Sequence, residues 1–380
     1  MSTSPAPRVV VVAGMHRAGT SAVARGLAAL GVDLGDRLMS ADVRMNARGF
    51  FEDVDVVALD DALLAAHGAD WKSVATLADV DWDAPAHDAA RAEARRILSA
   101  RVARAPVFGF KDPRMPRLLP FWQRVLADLG LPAAYVIAVR HPRAVIDSLT
   151  ARDALDPRRS GWLWTVHTIC ALASTRGGPR VVVDYDRLLA APARELARVA
   201  AALALPPPAA AAPALAAYVD GFLAAELRHA QYAPDAPAGD ALPPLGADAH
   251  ALAQRLAADA ADPADPAVGA EVDALRARLA AQAPLLAYAG DVERAADDVP
   301  RLAGELAWAR QSLAAAGAWS EDLAATVGRK EAEMREARAY NEDLAATVAR
   351  KDAELVAAHA TLARLSERAL GRMLLKRARR

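Results

Sequence analysis

Cysteine is almost absent from this chain of 380 residues, in which Cys170 stands alone. A single cysteine excludes an internal disulfide framework and any zinc or iron–sulfur site built from several thiolates. Proteins of reducing compartments have this composition, so the cysteine content favours a cytoplasmic location.

Long hydrophobic runs are also missing, because Arg, Asp or Pro interrupts the alanine-rich segments before they reach the roughly 18 apolar residues of a membrane span. The first apolar run, residues 9–13, is too short for the core of a signal peptide, and residues 1–7 contain no basic residue. We therefore predict a soluble, cytoplasmic protein without a transmembrane segment.

A strong charge of either sign is absent too, since the formal net charge is -1 at pH 7. Without a basic field over the whole molecule, we expect no nucleic-acid partner. The 8 histidines are scattered without the spacing of metal ligands, so we expect no metal either.

Four short apolar runs stand out from the alanine background, and the first of them is rich in β-branched residues. They cover residues 8–13, 106–110, 133–140 and 180–184, with helical patterns between them. Such alternation predicts an α/β fold, a three-layer sandwich whose central parallel sheet is covered by helices on both faces. Ligands bind beyond the carboxyl ends of the strands in such sheets, and three of the four runs are followed by polar clusters.

Residues 14–21 lie between the first strand and the first helix, and their pattern is close to that of a phosphate-binding P-loop. Thr20 stands where a nucleotide triphosphatase has lysine, which disfavours ATP hydrolysis. A cation occurs instead at Arg17, from which it would project toward a single phosphate and its leaving oxygen. The loop is P-loop-like and suits a 5'-phosphosulfate.

At this point the chain resembles the sulfotransferases that use 3'-phosphoadenosine 5'-phosphosulfate as donor. The resemblance covers about residues 8–230 and identifies the donor-binding loop with Arg17, Ala18, Gly19, Thr20 and Ser21. Arg140 and Ser148, eight residues apart, resemble the segment of that family that binds the nucleotide 3'-phosphate. Arg17 is a departure, because many members have lysine at this position.

The resemblance implies transfer of a sulfuryl group to a hydroxyl, which needs a base for the acceptor proton and cations for the leaving phosphate. Glu52 is the candidate base, with Asp53 and His16 as rivals; an acid at this position could also begin a helix. Arg17 and Lys111 are the candidate catalytic cations, although Lys111 could simply pair with a nearby acid such as Asp112.

The chain beyond residue 205 has a different pattern. Proline, alanine and aspartate dominate residues 206–266, and apolar positions then alternate at spacings of four and three from Leu302 to Leu365, which predicts a coiled coil. A single amphipathic helix lying on the first domain is the alternative. The predicted domains are residues 1–235 (catalytic), 236–300 (linker with helices), 301–370 (coiled coil) and 371–380 (basic tail).

The function expected from the sequence is sulfuryl transfer to a hydroxyl, with a carbohydrate favoured as acceptor by analogy alone. A P-loop-type small-molecule kinase and a non-catalytic nucleotide-binding scaffold are the alternatives. Homo-oligomerisation through the coiled coil is expected in either case.

Overall fold

The computed structural model describes residues 8–40, 49–206, 212–223, 232–233, 236–325 and 331–377. Contacts between Cα atoms divide the chain into two compact units, Met1–Pro284 and Leu285–Arg380.

The core of the first unit is a sheet of four parallel strands. Their bounds are Arg8–Ala13 (β1), Val107–Lys111 (β2), Ala133–Val139 (β3) and Arg180–Asp184 (β4). The strands lie in the order β2-β1-β3-β4 and pair in parallel throughout. The prediction of an α/β fold around a parallel sheet is confirmed, and the strand bounds agree to within a residue.

Helices surround this sheet within the first unit. They are α1 (Thr20–Ala29), α2 (Val54–Ala66), a 3-10 turn (Pro85–His87), α3 (Asp88–Val102), α4 (Met115–Asp128), α5 (Pro142–Asp153), α6 (Pro157–Ser174), α7 (Tyr185–Ala190), α8 (Pro192–Ala202), α9 (Ala212–Ala216), a π-helical turn (Ala217–Phe222) and α10 (Pro244–Ala257). Two longer helices follow, α11 (Pro266–Ala325) and α12 (Glu331–Arg377).

The sheet is buried on both faces because side chains of successive strand residues point to opposite sides. On one side Val10, Val12 and Val136 share a core with Leu27 of α1 and Val199 of α8. Helices α4, α6 and α10 contact β1, β3 and β4 respectively. This arrangement explains why the strands are continuously apolar.

Local signals in the sequence account for several helix starts. Asp53, Asp156 and Asp184 cap α2, α6 and α7 by accepting backbone N–H groups. Proline occupies the first turn of α5, α6, α8 and α10, where its missing N–H costs no hydrogen bond.

The segment predicted as a linker, residues 236–300, contains packed helices in the structure. Helix α10 lies on α6 and β4, and its residues Ala249, Leu252 and Ala253 are fully buried. Ion pairs from Arg255 to Glu271 and from Arg278 to Asp248 join α10 to the start of α11. The predicted boundary at residue 235 therefore falls inside the first unit, because an apolar face of α10 completes its core.

In the second unit, the C-terminal part of α11 lies beside the middle of α12. Lys351 pairs with Glu305, and Arg310 contacts Asp352 at 3.2 Å. These ion pairs hold the two helices against each other. Among the described residues from Leu302 to Leu365, the fully buried apolar ones all lie at predicted heptad positions, namely Leu302, Leu306, Ala309, Ala316, Leu344 and Leu365, and several other predicted positions are half-buried.

The coiled coil and the oligomer that it would support stay predictions. Val327 and Lys330 of the predicted seam, and residues 378–380 of the predicted basic tail, lie outside the described residues. Residues 371–377 of that tail belong to α12. Among the described helices, none combines the length and apolarity that a membrane crossing needs.

Candidate functional site

The loop between β1 and α1 is closely packed, and its two glycines are there for steric reasons. A Cβ on Gly14 would lie 2.6 Å from the carbonyl oxygen of Ala138, and one on Gly19 would lie 2.2 Å from the Tyr185 ring. Gly19 also has a φ of 88°, which side chains rarely tolerate. It directly precedes α1, whose first N–H groups lack helical partners and favour anions.

Arg17 extends from this loop to the middle of α5. Its Nε donates to Oγ of Ser148 at 2.7 Å, although 131 residues separate the two in sequence. The backbone at Arg17 has a φ of 68°, an unusual value for a residue other than glycine. Burial lowers the pKa of Arg17, as do the charges of Arg152 and Arg140, so several cations converge here.

Arg140 follows β3 and is only 6% exposed. Its guanidinium group lies 4.9 Å from the centroid of the Tyr185 ring, and its Nη1 makes a long contact, 3.5 Å, with the carbonyl oxygen of Arg17. Trp164 Nε1 donates to the carbonyl oxygen of Arg140 at 3.1 Å. Both the side chain and the backbone of Arg140 are therefore held by aromatic residues.

Lys111 and Glu52 form an ion pair on the other side of the loop. Lys111 ends β2, and its Nζ lies 2.5 Å from Oε1 of Glu52 and 3.2 Å from the Thr20 hydroxyl. The two residues are 2% and 5% exposed. The predicted base, the predicted cation and the first residue of α1 thus share one set of contacts.

Asp53, a rival to Glu52 as base, is engaged in structural contacts. Its Oδ1 accepts the backbone N–H of Asp55 at 2.9 Å, and its Oδ2 accepts from Arg101 Nε at 2.7 Å. Only 1% of Asp53 is exposed. These contacts favour Glu52 as the acid that faces the loop.

His16, the second rival, lies against Trp71 with the ring centroids 4.5 Å apart. Its Nε2 is buried and makes no hydrogen bond with the described residues. Burial, and next the charge of Arg114, hold the pKa of His16 well below its usual range. The imidazole is therefore neutral at pH 7 and a weak base.

Two buried acids close to the site were not among the predicted site residues. The pKa of Asp112 is raised to about 6. Burial is the main cause, the charge of Arg114 opposes it, and the charge of Glu52 adds to it. Burial, with the charge of Asp112, also raises the pKa of Asp60, which accepts from Trp122 Nε1 at 2.8 Å. Only Asp112 had a sequence signal, its position directly after Lys111 at a strand end.

The structure brings the predicted site residues together at the carboxyl ends of β1, β2 and β3. They are Arg17, Ala18, Gly19, Thr20, Ser21, Glu52, Lys111, Arg140 and Ser148. Contacts from Arg17 reach Ser148 and Arg140, whereas Thr20 contacts Lys111; Ser21 donates to the carbonyl oxygen of Phe50 at 3.1 Å. The roles of these residues in binding or catalysis stay predictions.

The described residues contain no group of three or more His, Cys, Asp and Glu side chains arranged to hold a metal ion. The expectation that the protein uses no metal is untested by this observation.

No protein-family profile matches the chain, and no curated protein matches it. A search of solved structures found the sulfotransferase domain of the Synechococcus PCC 7002 olefin synthase, at 18% identity and a TM-score of 0.34. The match covers 59% of this chain and 81% of that domain. A likeness of this strength carries no argument about activity, which rests on the geometry of the site.

Proposed function

We propose that the protein transfers a sulfuryl group from 3'-phosphoadenosine 5'-phosphosulfate to an acceptor hydroxyl. The observation that carries the proposal is the cluster formed by Arg17, Arg140 and Ser148. Two guanidinium groups and a hydroxyl converge on a tight glycine loop at a helix N-terminus. Arginine and hydroxyl donors beside a helix N-terminus suit phosphate oxygens.

The donor in this proposal binds through both of its phosphate groups. The loop from Arg17 to Ser21 would hold the 5'-phosphosulfate, and Arg140 with Ser148 would hold the 3'-phosphate. The contact between Arg17 and Ser148 supports the pairing of these two regions in one site. Arg140 needs little rearrangement to act, because Tyr185 and Trp164 already hold it.

Glu52 is the proposed base. The acceptor oxygen forms a bond to sulfur while the bond from sulfur to the leaving phosphate oxygen breaks, and the carboxylate of Glu52 takes the acceptor proton. Arg17 and Lys111 stabilise the negative charge that develops on the leaving phosphate. The ion pair with Lys111 holds the Glu52 carboxylate beside the loop before the acceptor arrives.

The acceptor in this proposal is a hydroxyl group of a carbohydrate. Trp71, which is partly exposed beside His16, is a surface against which a sugar ring could pack. A screen of neutral and anionic sugars that follows transfer of the label from the labelled donor tests this acceptor.

A small-molecule kinase is the competing enzyme function. Lys111 reaches the Thr20 hydroxyl from β2, so a lysine does approach the loop although the loop itself has none. ATP with magnesium must therefore be compared directly with the sulfotransferase ligand.

The test is calorimetric titration of 3'-phosphoadenosine 5'-phosphate, the expected product, beside ATP with magnesium. We expect magnesium-independent binding of the bisphosphate, weakened about 10- to 100-fold in Arg140→Ala by loss of a charge-assisted contact. Arg143→Ala is the matched control, because Arg143 lies in the same segment but is exposed.

Each other outcome selects a different function. Stronger binding of ATP with magnesium than of the bisphosphate would favour the kinase function over the sulfotransferase function. If neither ligand binds, the scaffold becomes the function to test next.

A further inference from the structure

Helix α10, in the segment predicted as a linker, lies beside the residues that support Arg140. It packs against α6, which carries Trp164, and against β4, which ends at Asp184. Two polar residues of this helix lie one turn apart. His250 contacts Trp164, and Gln254 contacts Asp184.

His250 contacts Trp164, the residue whose indole binds the backbone of Arg140. Its ring lies edge-on to Trp164, with centroids 5.7 Å apart and an interplanar angle of 84°. Trp164 in turn donates to the carbonyl oxygen of Arg140. The imidazole of His250 also lies edge-on to the ring of His141, the residue that follows Arg140 in the chain. The two ring centroids are 5.0 Å apart, and the interplanar angle is 83°.

The segment that leads into α10 also contacts His141. The Nε2 of His141 donates to the carbonyl oxygen of Ala236 at 3.0 Å, and the side chain is only 2% exposed. The side chain of His141, the residue after Arg140, is therefore held by a chain segment 95 residues away in sequence.

Gln254 contacts Asp184, the residue that precedes Tyr185 and caps α7. Its Nε2 donates to Oδ2 of Asp184 at 3.0 Å, and Oδ1 of the same carboxylate caps α7 by accepting from Arg187 N at 2.9 Å. The first residue of α7 is Tyr185, whose ring lies under the Arg140 guanidinium. Gln254 thus orients the carboxylate that begins the helix bearing Tyr185.

From these contacts we propose that His250 and Gln254 are positioning residues that hold Arg140 in place for its anion, and that α10 is part of the binding site. Leucine would fill the place of Gln254 without harm to the apolar core, but Asp184 Oδ2 would lose its donor. The inference rests on the proposed function, because adenosine 3',5'-bisphosphate is the ligand that reports the position of Arg140.

The test measures the affinity of adenosine 3',5'-bisphosphate for Gln254→Leu and His250→Ala, each made alone and in an Arg140→Ala background. We expect each single variant to bind about three- to tenfold more weakly, because Gln254→Leu loses one hydrogen bond and His250→Ala loses the ring contacts with Trp164 and His141. In the Arg140→Ala background neither should weaken binding further, because both act through Arg140. Gln282→Leu on α11 is the matched control and should bind like the wild type.

Wild-type affinity in both single variants, while Arg140→Ala binds poorly, would overturn the inference. So would an equal further loss in the Arg140→Ala background, which would indicate a general effect on folding. Melting temperatures of all variants are recorded beside the affinities.

If the wild type does not bind the bisphosphate, the proposed function fails, and hydrogen exchange still tests the inference. The amides of His141, Arg143 and residues 185–188 should exchange faster in Gln254→Leu than in Gln282→Leu, without any ligand. Equal exchange in the two variants would overturn the role of α10.

Discussion

The ion pair between Lys111 and Glu52 is almost wholly withdrawn from solvent. Removing one member of such a pair leaves the other charge buried without compensation, at a cost of about 3–5 kcal/mol. Replacing both by apolar residues of similar size removes that penalty. The pair is therefore a sensitive point for stability as well as a proposed catalytic device.

We predict that Lys111→Met and Glu52→Leu each lower the free energy of unfolding by about 3–5 kcal/mol, and that the double variant with both substitutions recovers most of the loss. Urea unfolding followed by circular dichroism measures this. Arg104→Ala, which breaks an exposed ion pair with Asp36, is the control and should change little. Additive losses in the double variant would contradict the prediction.

At the scale of elements, the packing of α11 against α12 depends on the line of heptad positions. Leu306 and Leu344 lie on this line and are buried, whereas Val356 of α12 is 65% exposed. A carboxylate at a buried position must either lose its hydration or break the packing of the two helices.

We predict that Leu306→Asp and Leu344→Asp each destabilise the second unit by about 2–5 kcal/mol, while the matched control Val356→Asp has almost no effect. Thermal unfolding followed by the helical circular dichroism signal measures the loss. Equal effects of the three substitutions would mean that the heptad line does not hold the helices together. Sedimentation of the wild type tests the predicted oligomer separately.

The elements also show where sequence patterns were sufficient. Residues 9–12 are four consecutive valines, and such β-branched runs define a buried strand whatever surrounds them. Helix α10 was harder to assign, because prolines at 243 and 244 look like linker residues yet begin the helix. Only its packing on α6 and β4 reveals it as part of the core.

For the whole molecule, buried histidines make stability depend on pH. Burial, and next the charge of His141, lower the pKa of His250 to about 4, with Asp184 opposing. Burial similarly lowers the pKa of His167 to about 3. The raised pKa of Asp112 acts in the opposite direction, since the folded state then holds a proton that the unfolded chain releases.

His250→Phe isolates one of these contributions. Above pH 6.5 the imidazole is neutral in both states; between about pH 6.5 and 4 only the unfolded chain is protonated, and the wild type loses about 1.4 kcal/mol per pH unit that the variant keeps. We therefore predict that the variant gains stability relative to the wild type as the pH falls through this range. Urea unfolding at pH 7, 6 and 5 measures the difference, and a constant difference would contradict the prediction.

The sequence alone was enough for the local structure of this protein. Runs of valine and isoleucine predicted the strands, and the glycines and Arg17 marked the loop that follows β1. Strands and tight turns depend on neighbouring residues, so a linear pattern encodes them.

The pairing of distant residues was decided only by the tertiary structure. Lys111 meets Glu52 and Thr20 because β2 lies at the edge of the sheet beside β1. Arg17 meets Ser148 because β3 lies on the other side of β1. The chain does not carry this strand order as a local pattern, since it arises from burying both faces of the sheet at once.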